Sequence, residues 1–223
     1  MENTLQLYYL ISISFIVYFI LSYVYKILKI QNIERALLTT KGVLLLNIKH
    51  LIGILLFGIL FYQVTPDYRK LITANDFPGL NILLVLVGLI IISVMVAYHS
   101  VNKKKKTTIE LSQHSSNQRW IYFSLRIVFL FAYEFFFRGV LLFSLIEING
   151  LITAVIICTS LYVLIHAFDS RAEIIGAIPF GIILCFLSYF TNNIWAAFIL
   201  HITLSGVYEI SMFNHLTRKT YSS

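Results

Sequence analysis

Apolar residues in this chain come in long unbroken blocks rather than alternating with polar ones. A helix needs about 20 consecutive apolar residues to cross a bilayer core. Seven blocks reach or approach that length: Leu5–Leu28, Val43–Val64, Leu80–Val101, Trp120–Ile146, Leu151–Phe168, Ile174–Phe190 and Ile194–Phe213. Turn and breaker residues separate them, among them Thr39-Thr40-Lys41, Thr65-Pro66-Asp67, Pro78-Gly79, Asn149-Gly150 and Asn192-Asn193. Strands at that depth would have to close into a barrel, and the alternation a barrel requires is missing. The pattern predicts an all-α, polytopic transmembrane helix bundle of about seven helices joined by short loops.

Composition agrees with the pattern. Of 223 residues, 59% are hydrophobic and 12% are charged, with a mean hydropathy of +0.84; a soluble domain carries about twice that charged share. The first block follows Glu2 rather than a basic stretch and lacks a small-residue cleavage site, so it is expected to stay attached as a span. The two cysteines, Cys158 and Cys185, lie within apolar blocks and imply no disulfide framework.

The net charge of +7 is chiefly an orientation signal. Lys26, Lys29, Arg35 and Lys41 follow the first block, and Lys103 to Lys106 with Arg119 follow the third. Short basic loops stay in the cytoplasm. With Arg171, Arg218 and Lys219 this puts twelve basic residues inside against Arg69 and Lys70 outside, so the expected topology is N-terminus out, C-terminus in. Lys103 to Lys106 then meet anionic lipid headgroups and solvent, and the charge is no nucleic-acid footprint. The polar stretch 102–118 divides an N-terminal three-helix membrane region with basic cytoplasmic loops (1–118) from a four-helix region (119–215) and a short polar tail (216–223).

Within a bilayer the informative residues are the expensive ones, because an ionisable group at helix centre costs about 2.5–3.5 kcal/mol on insertion scales. Glu134 and Arg138 lie midway along the fourth block in the run Tyr133-Glu-Phe-Phe-Phe-Arg-Gly139. A spacing of four sets them about 40° apart on one helix face, close enough to form an ion pair. Two readings stand, a structural clasp between helices or a reactive centre. Buried pairs rarely stabilise more than apolar residues would, which speaks for the second. His166 and His201 lie on separate helices, with Tyr162 one turn before the first and Ser205 one turn after the second.

At these residues the chain resembles the CPBP family, intramembrane proteases related to the CAAX prenyl endopeptidase and to bacteriocin-processing or immunity proteins. The family pattern is EExxxR followed by Gly, then FxxxH, then HxxxN. Glu134 and Arg138-Gly139 match the first motif after its opening position, Tyr162 and His166 the second with Tyr for Phe, and His201 opens the third. The resemblance covers about residues 120–213, and the first three helices carry none of it. Two departures stand out: Tyr133 occupies the position of the first Glu, usually given the water-activating role, and Ser205 that of the closing Asn. A tyrosine with an ordinary pKa near 10 is no resting base at neutral pH.

The resemblance implies a CPBP-like core at 119–215 that hydrolyses a peptide bond in a membrane-associated or lipidated peptide, in a bacterial cytoplasmic membrane. Glu134 would activate water, Arg138 would orient its carboxylate, His166 and His201 would stabilise the transition state, and Ser205 would orient one histidine. Zinc or another divalent metal held by His166, His201 and Glu134 is an alternative, ranked lower because no HExxH is present. A proteolytically inactive relative acting in bacteriocin immunity or assembly is the competing class. A transporter lacks the internal repeats it would need.

One expectation fits poorly. In a plain hairpin arrangement His166 sits at a helix end and His201 well inside one, about 15 Å apart along the membrane normal. Tilt, a helix break near His166, or a different inside-outside assignment would each repair this. Lys49, His50, Arg126 and Glu209 rank as lesser candidates; Lys49 and Arg126 are expected to reach toward headgroups.

Overall fold

The apolar blocks become helices. A computed structural model describes residues 2–39, 41–73, 78–104 and 116–218; Thr40, Lys105, Lys106 and Lys219, which entered the sequence argument, lie outside the described residues. All regular structure among the described residues is helical. In chain order the helices are α1 (Glu2–Ile27), α2 (Ile33–Ala36), α3 (Gly42–Gly53), α4 (Leu60–Val64), α5 (Lys70–Thr73), α6 (Leu80–Lys104), α7 (Ser116–Glu134), α8 (Leu142–Ile165), α9 (Arg171–Thr191) and α10 (Trp195–Arg218). Two π-helical segments, Ile54–Ile59 and Phe135–Leu141, join α3 to α4 and α7 to α8.

Six stretches are long and apolar enough to span a membrane: Leu5–Ile27, Gly42–Val64, Leu80–Asn102, Arg119–Phe168, Arg171–Thr191 and Trp195–His215. The protein is a multi-pass integral membrane protein. The fourth stretch has 50 residues, far more than the about 20 that cross a bilayer. It folds back at Gly150, whose φ of 74° and ψ of 168° break the helix. Only glycine adopts that backbone without strain. Past the break the chain retraces its path. Cys158 Sγ donates to the Phe137 carbonyl at 3.2 Å, and Tyr162 lies against Tyr133, their ring centroids 6.0 Å apart. Moving forward four residues on one arm moves back four on the other, the register of an antiparallel hairpin. The fourth and fifth sequence blocks are these two arms.

Helix starts and stops follow local chemistry. Ser170 caps α9 in a capping box with Glu173. Asn192, left-handed at φ 48°, ends it. Asn193 Oδ1 then accepts from the Trp195 amide at 3.0 Å to start α10. On the same side the short α5 is tied in, since Leu71 O accepts from Ile194 N at 3.1 Å and Ile72 O from Trp195 Nε1 at 2.8 Å. Nearby, the Tyr68 hydroxyl donates to Glu147 Oε1 at 3.3 Å. Burial, reinforced by that carboxylate, pushes the Tyr68 phenol above its ordinary value and keeps it a donor.

The bundle centre is aromatic. Tyr18, Phe57, Phe61, Phe129, Tyr133, Phe136 and Phe137 form one buried cluster, with Phe57 stacked on Phe136 at 4.5 Å and tilted against Tyr18 at 4.8 Å. Close approach of α3 and its π segment to α7 needs glycine: a Cβ on Gly58 would stand 2.8 Å from that of Ala132. This packing fixes α7, and with it the polar residues on its other side.

Candidate active site

Glu134 is the last residue of α7, and Arg138 sits in the π segment that follows it. A π turn closes with i→i+5 bonds, is wider than an α turn, and occurs often at functional sites. The sequence predicted a regular helix here; the structure differs in that turn while keeping the pair. Arg138 Nε lies 3.3 Å from Glu134 Oε2 and Nη1 donates to Oε1 at 3.4 Å. Both side chains are fully buried. The guanidinium also rests over the Tyr162 ring, 4.3 Å from its centroid, an arrangement favourable to a desolvated cation.

His201 comes to the same carboxylate from α10, with Nδ1 2.5 Å from Glu134 Oε1. Its ring packs edge-on against Tyr133 at 6.0 Å and Tyr162 at 6.2 Å. His166 packs edge-on against the same Tyr162, ring centroids 4.9 Å apart, so both histidines contact one tyrosine. A helix break does occur at His166: α8 ends at Ile165 and the chain tightens into a 3-10 turn over His166–Phe168. His166 does not reach Glu134, however. Its Nδ1 pairs with Asp169 Oδ2 at 2.8 Å.

Tyr133 is buried among Phe57, Phe129, Phe137 and Tyr162, and its hydroxyl has no hydrogen-bond partner among the described residues. Ser205 does not orient a histidine. Its Oγ accepts from Arg126 Nη2 at 2.9 Å and donates to Glu209 Oε1 at 3.0 Å.

That contact belongs to a second polar cluster. Arg126 pairs with Glu209 Oε1 at 2.8 Å, and the Tyr122 hydroxyl donates to Glu209 Oε2 at 2.8 Å. Arg126 therefore turns to a buried carboxylate on α10 rather than to headgroups. One signal in the sequence would have found it. If Glu134 faces His201 in an antiparallel helix pair, eight residues back on α7 is Arg126 and eight forward on α10 is Glu209. His50, stacked on Phe129 at 5.1 Å and tilted against Tyr122 at 5.5 Å, lines the same region. Lys49 Nζ sits between the Tyr18 and Tyr25 rings, 5.5 and 5.6 Å from their centroids.

The metal alternative does not fit the donor set. Among the described residues no three His, Cys, Asp or Glu side chains converge as ligands, and His166 faces Asp169 while Glu134 faces Arg138 and His201.

Residues 115–207 match the family of type II CAAX prenyl endopeptidase, Rce1-like proteins. That segment is similar to the Rce1-like, CPBP family. No curated protein and no solved structure matches the chain. The Rce1-like segment takes in α7, the π segment, α8, α9 and the start of α10, and so includes Glu134, Arg138, His166 and His201. Glu209, which holds Arg126, lies just beyond it.

Proposed function

We propose that the chain is an intramembrane endopeptidase that hydrolyses a peptide bond in a membrane-associated or lipidated peptide. Three elements far apart in sequence bring Glu134, His201 and His166 around one buried tyrosine, Tyr162, and this convergence carries the reading. The match of residues 115–207 to a family of prenyl endopeptidases supports it.

The residues divide the work. Glu134, held ionically by Arg138, binds Nδ1 of His201 and fixes that ring; as an imidazolium paired with this carboxylate, His201 donates its Nε2–H to a substrate carbonyl and the oxyanion it becomes. Glu134 Oε1 is taken by His201 Nδ1 and Arg138 Nη1, whereas Oε2 has the Arg138 Nε ionic contact and no hydrogen bond, so a water at this carboxylate would be held at Oε2. His166, at the edge of the centre and partly open, is the second imidazole facing the reaction. We read the basic loops as cytoplasmic, with the N-terminus outside and the C-terminus inside, which puts His166 toward the cytoplasmic side.

A second reading, a non-proteolytic CPBP-like protein acting in bacteriocin immunity or assembly, draws on Tyr133 standing where the family has its first glutamate. Quantitative proteomics separates the two. Cells carrying the wild-type chain should contain a membrane peptide cut at a site left intact in cells carrying Glu134→Gln or His166→Ala at matched abundance. Identical peptide inventories with an intact phenotype would favour the second reading.

A further inference from the structure

The 3-10 turn after α8 does more than end a helix. Side chains at i and i+3 eclipse in such a turn, so His166 and Asp169 come to one face. The Asp169 amide donates to the His166 carbonyl at 2.9 Å, and its carboxylate Oδ2 lies 2.8 Å from His166 Nδ1. Both ends of the turn are anchored. Phe168 packs on Phe19 and Tyr23 of α1, ring centroids 4.9 and 5.5 Å apart, and Ser170 opens α9 in its capping box. The pair is also reachable, with side-chain exposures of 27% for His166 and 22% for Asp169 against none for Glu134.

A neutral imidazole carries one N–H and one lone pair, and the partner of one nitrogen decides which is which. A carboxylate on Nδ1 selects the Nδ1–H form and leaves the lone pair on Nε2. Of the titratable groups around the centre His166 is the most exposed, at 27% against 9% for His201 and none for Glu134. Glu134 Oε1 is shared by His201 and Arg138, and Tyr133 stands at the family's first carboxylate position.

We propose that Asp169 is a positioning residue that sets the tautomer of His166, so that His166 Nε2 takes the proton from the attacking water. The inference rests on the endopeptidase reading above. In the addition step a water O–H bond breaks and its proton moves to Nε2. The water oxygen bonds to the scissile carbonyl carbon, and the carbonyl π pair moves to its oxygen beside His201. In the collapse the C–N bond breaks and the imidazolium returns the proton to the departing amine.

The test uses the full chain in lipid nanodiscs with 15N-labelled histidine, together with cleavage of a substrate peptide taken from the proteomic comparison. The expected result is an Nδ1–H tautomer at His166 in the wild type and its loss in Asp169→Ala. Asp169→Ala and the size-preserving Asp169→Asn should lower kcat about a hundredfold at unchanged KM, with amounts of folded protein near wild type. An Nε2–H tautomer in the wild type, or wild-type turnover in both Asp169 variants while Glu134→Gln is inactive, would overturn the role of Asp169 and leave the endopeptidase standing. Identical proteomes for wild type and Glu134→Gln would overturn the endopeptidase and the proton-accepting role with it, whatever the tautomer.

Discussion

His201 Nδ1 meets Glu134 Oε1 at 2.5 Å although 67 residues separate them. The contact joins α10 to α7 at the point where α7 widens into its π turn. It is also the only side-chain link from α10 to the Glu134–Arg138 pair among the described residues.

Breaking the pair on one side should therefore cost more than removing it. Glu134→Leu leaves the Arg138 cation buried without its counter-charge, a loss of about 3–5 kcal/mol. The double variant Glu134→Leu, Arg138→Met should recover most of that. Thermal unfolding in detergent reads the difference, and additive losses would sink the argument.

The Arg126–Glu209 contact makes a separate prediction. Glu209→Leu removes the acceptor for Tyr122, Ser205 and Arg126 together. Arg126→Met and Glu209→Leu should be coupled by about 1–3 kcal/mol in a double-mutant cycle. Coupling near zero would mean the cluster does not hold α10 to α7.

Restoring the family's first glutamate should fail on its own. Tyr133→Glu would put a second carboxylate beside Glu134 in a nest of Phe57, Phe129 and Phe137, at a cost of several kcal/mol. Protein abundance should drop sharply. Normal abundance with raised turnover would instead mean the position had kept room for a carboxylate.

At Gly58 two effects oppose each other. Alanine gains about 0.5–1 kcal/mol of helix propensity, but its Cβ would stand 2.8 Å from that of Ala132, and overpacking costs about 1–3 kcal/mol. The clash should win, so Gly58→Ala unfolds at lower temperature than wild type. A higher unfolding temperature would refute the close helix contact.

Orientation is open to chemical labelling. Both native thiols are buried, so they should ignore a membrane-impermeant maleimide. A cysteine at the exposed position Asp67 should react in intact cells. One at Lys41 should react only once the cytoplasmic face is opened, and the reverse pattern would invert the proposed topology.

Much of the site was legible because burying charge in a bilayer is costly. A sequence this apolar makes Glu134, Arg138, His166 and His201 conspicuous, and the i,i+4 spacing of the first two anticipates their ion pair. Partners across helices were harder to read. Ser205 was expected at a histidine because it lies one turn from His201, yet it bonds Arg126 and Glu209. A turn of separation says that two residues share a face, and the neighbouring helix decides which of them it meets.

The sequence by itself determined the membrane class, the helical blocks and the breaks between them, since these depend on local hydrophobicity and on residues such as Gly150. Tertiary structure decided the rest. The antiparallel register of α7 and α10 brings Glu134 to His201 and Arg126 to Glu209. The 3-10 turn after α8 draws His166 away from Glu134 to Asp169 while keeping its ring on Tyr162. Such choices depend on which helix faces pack, and spacing along one chain segment does not contain that information.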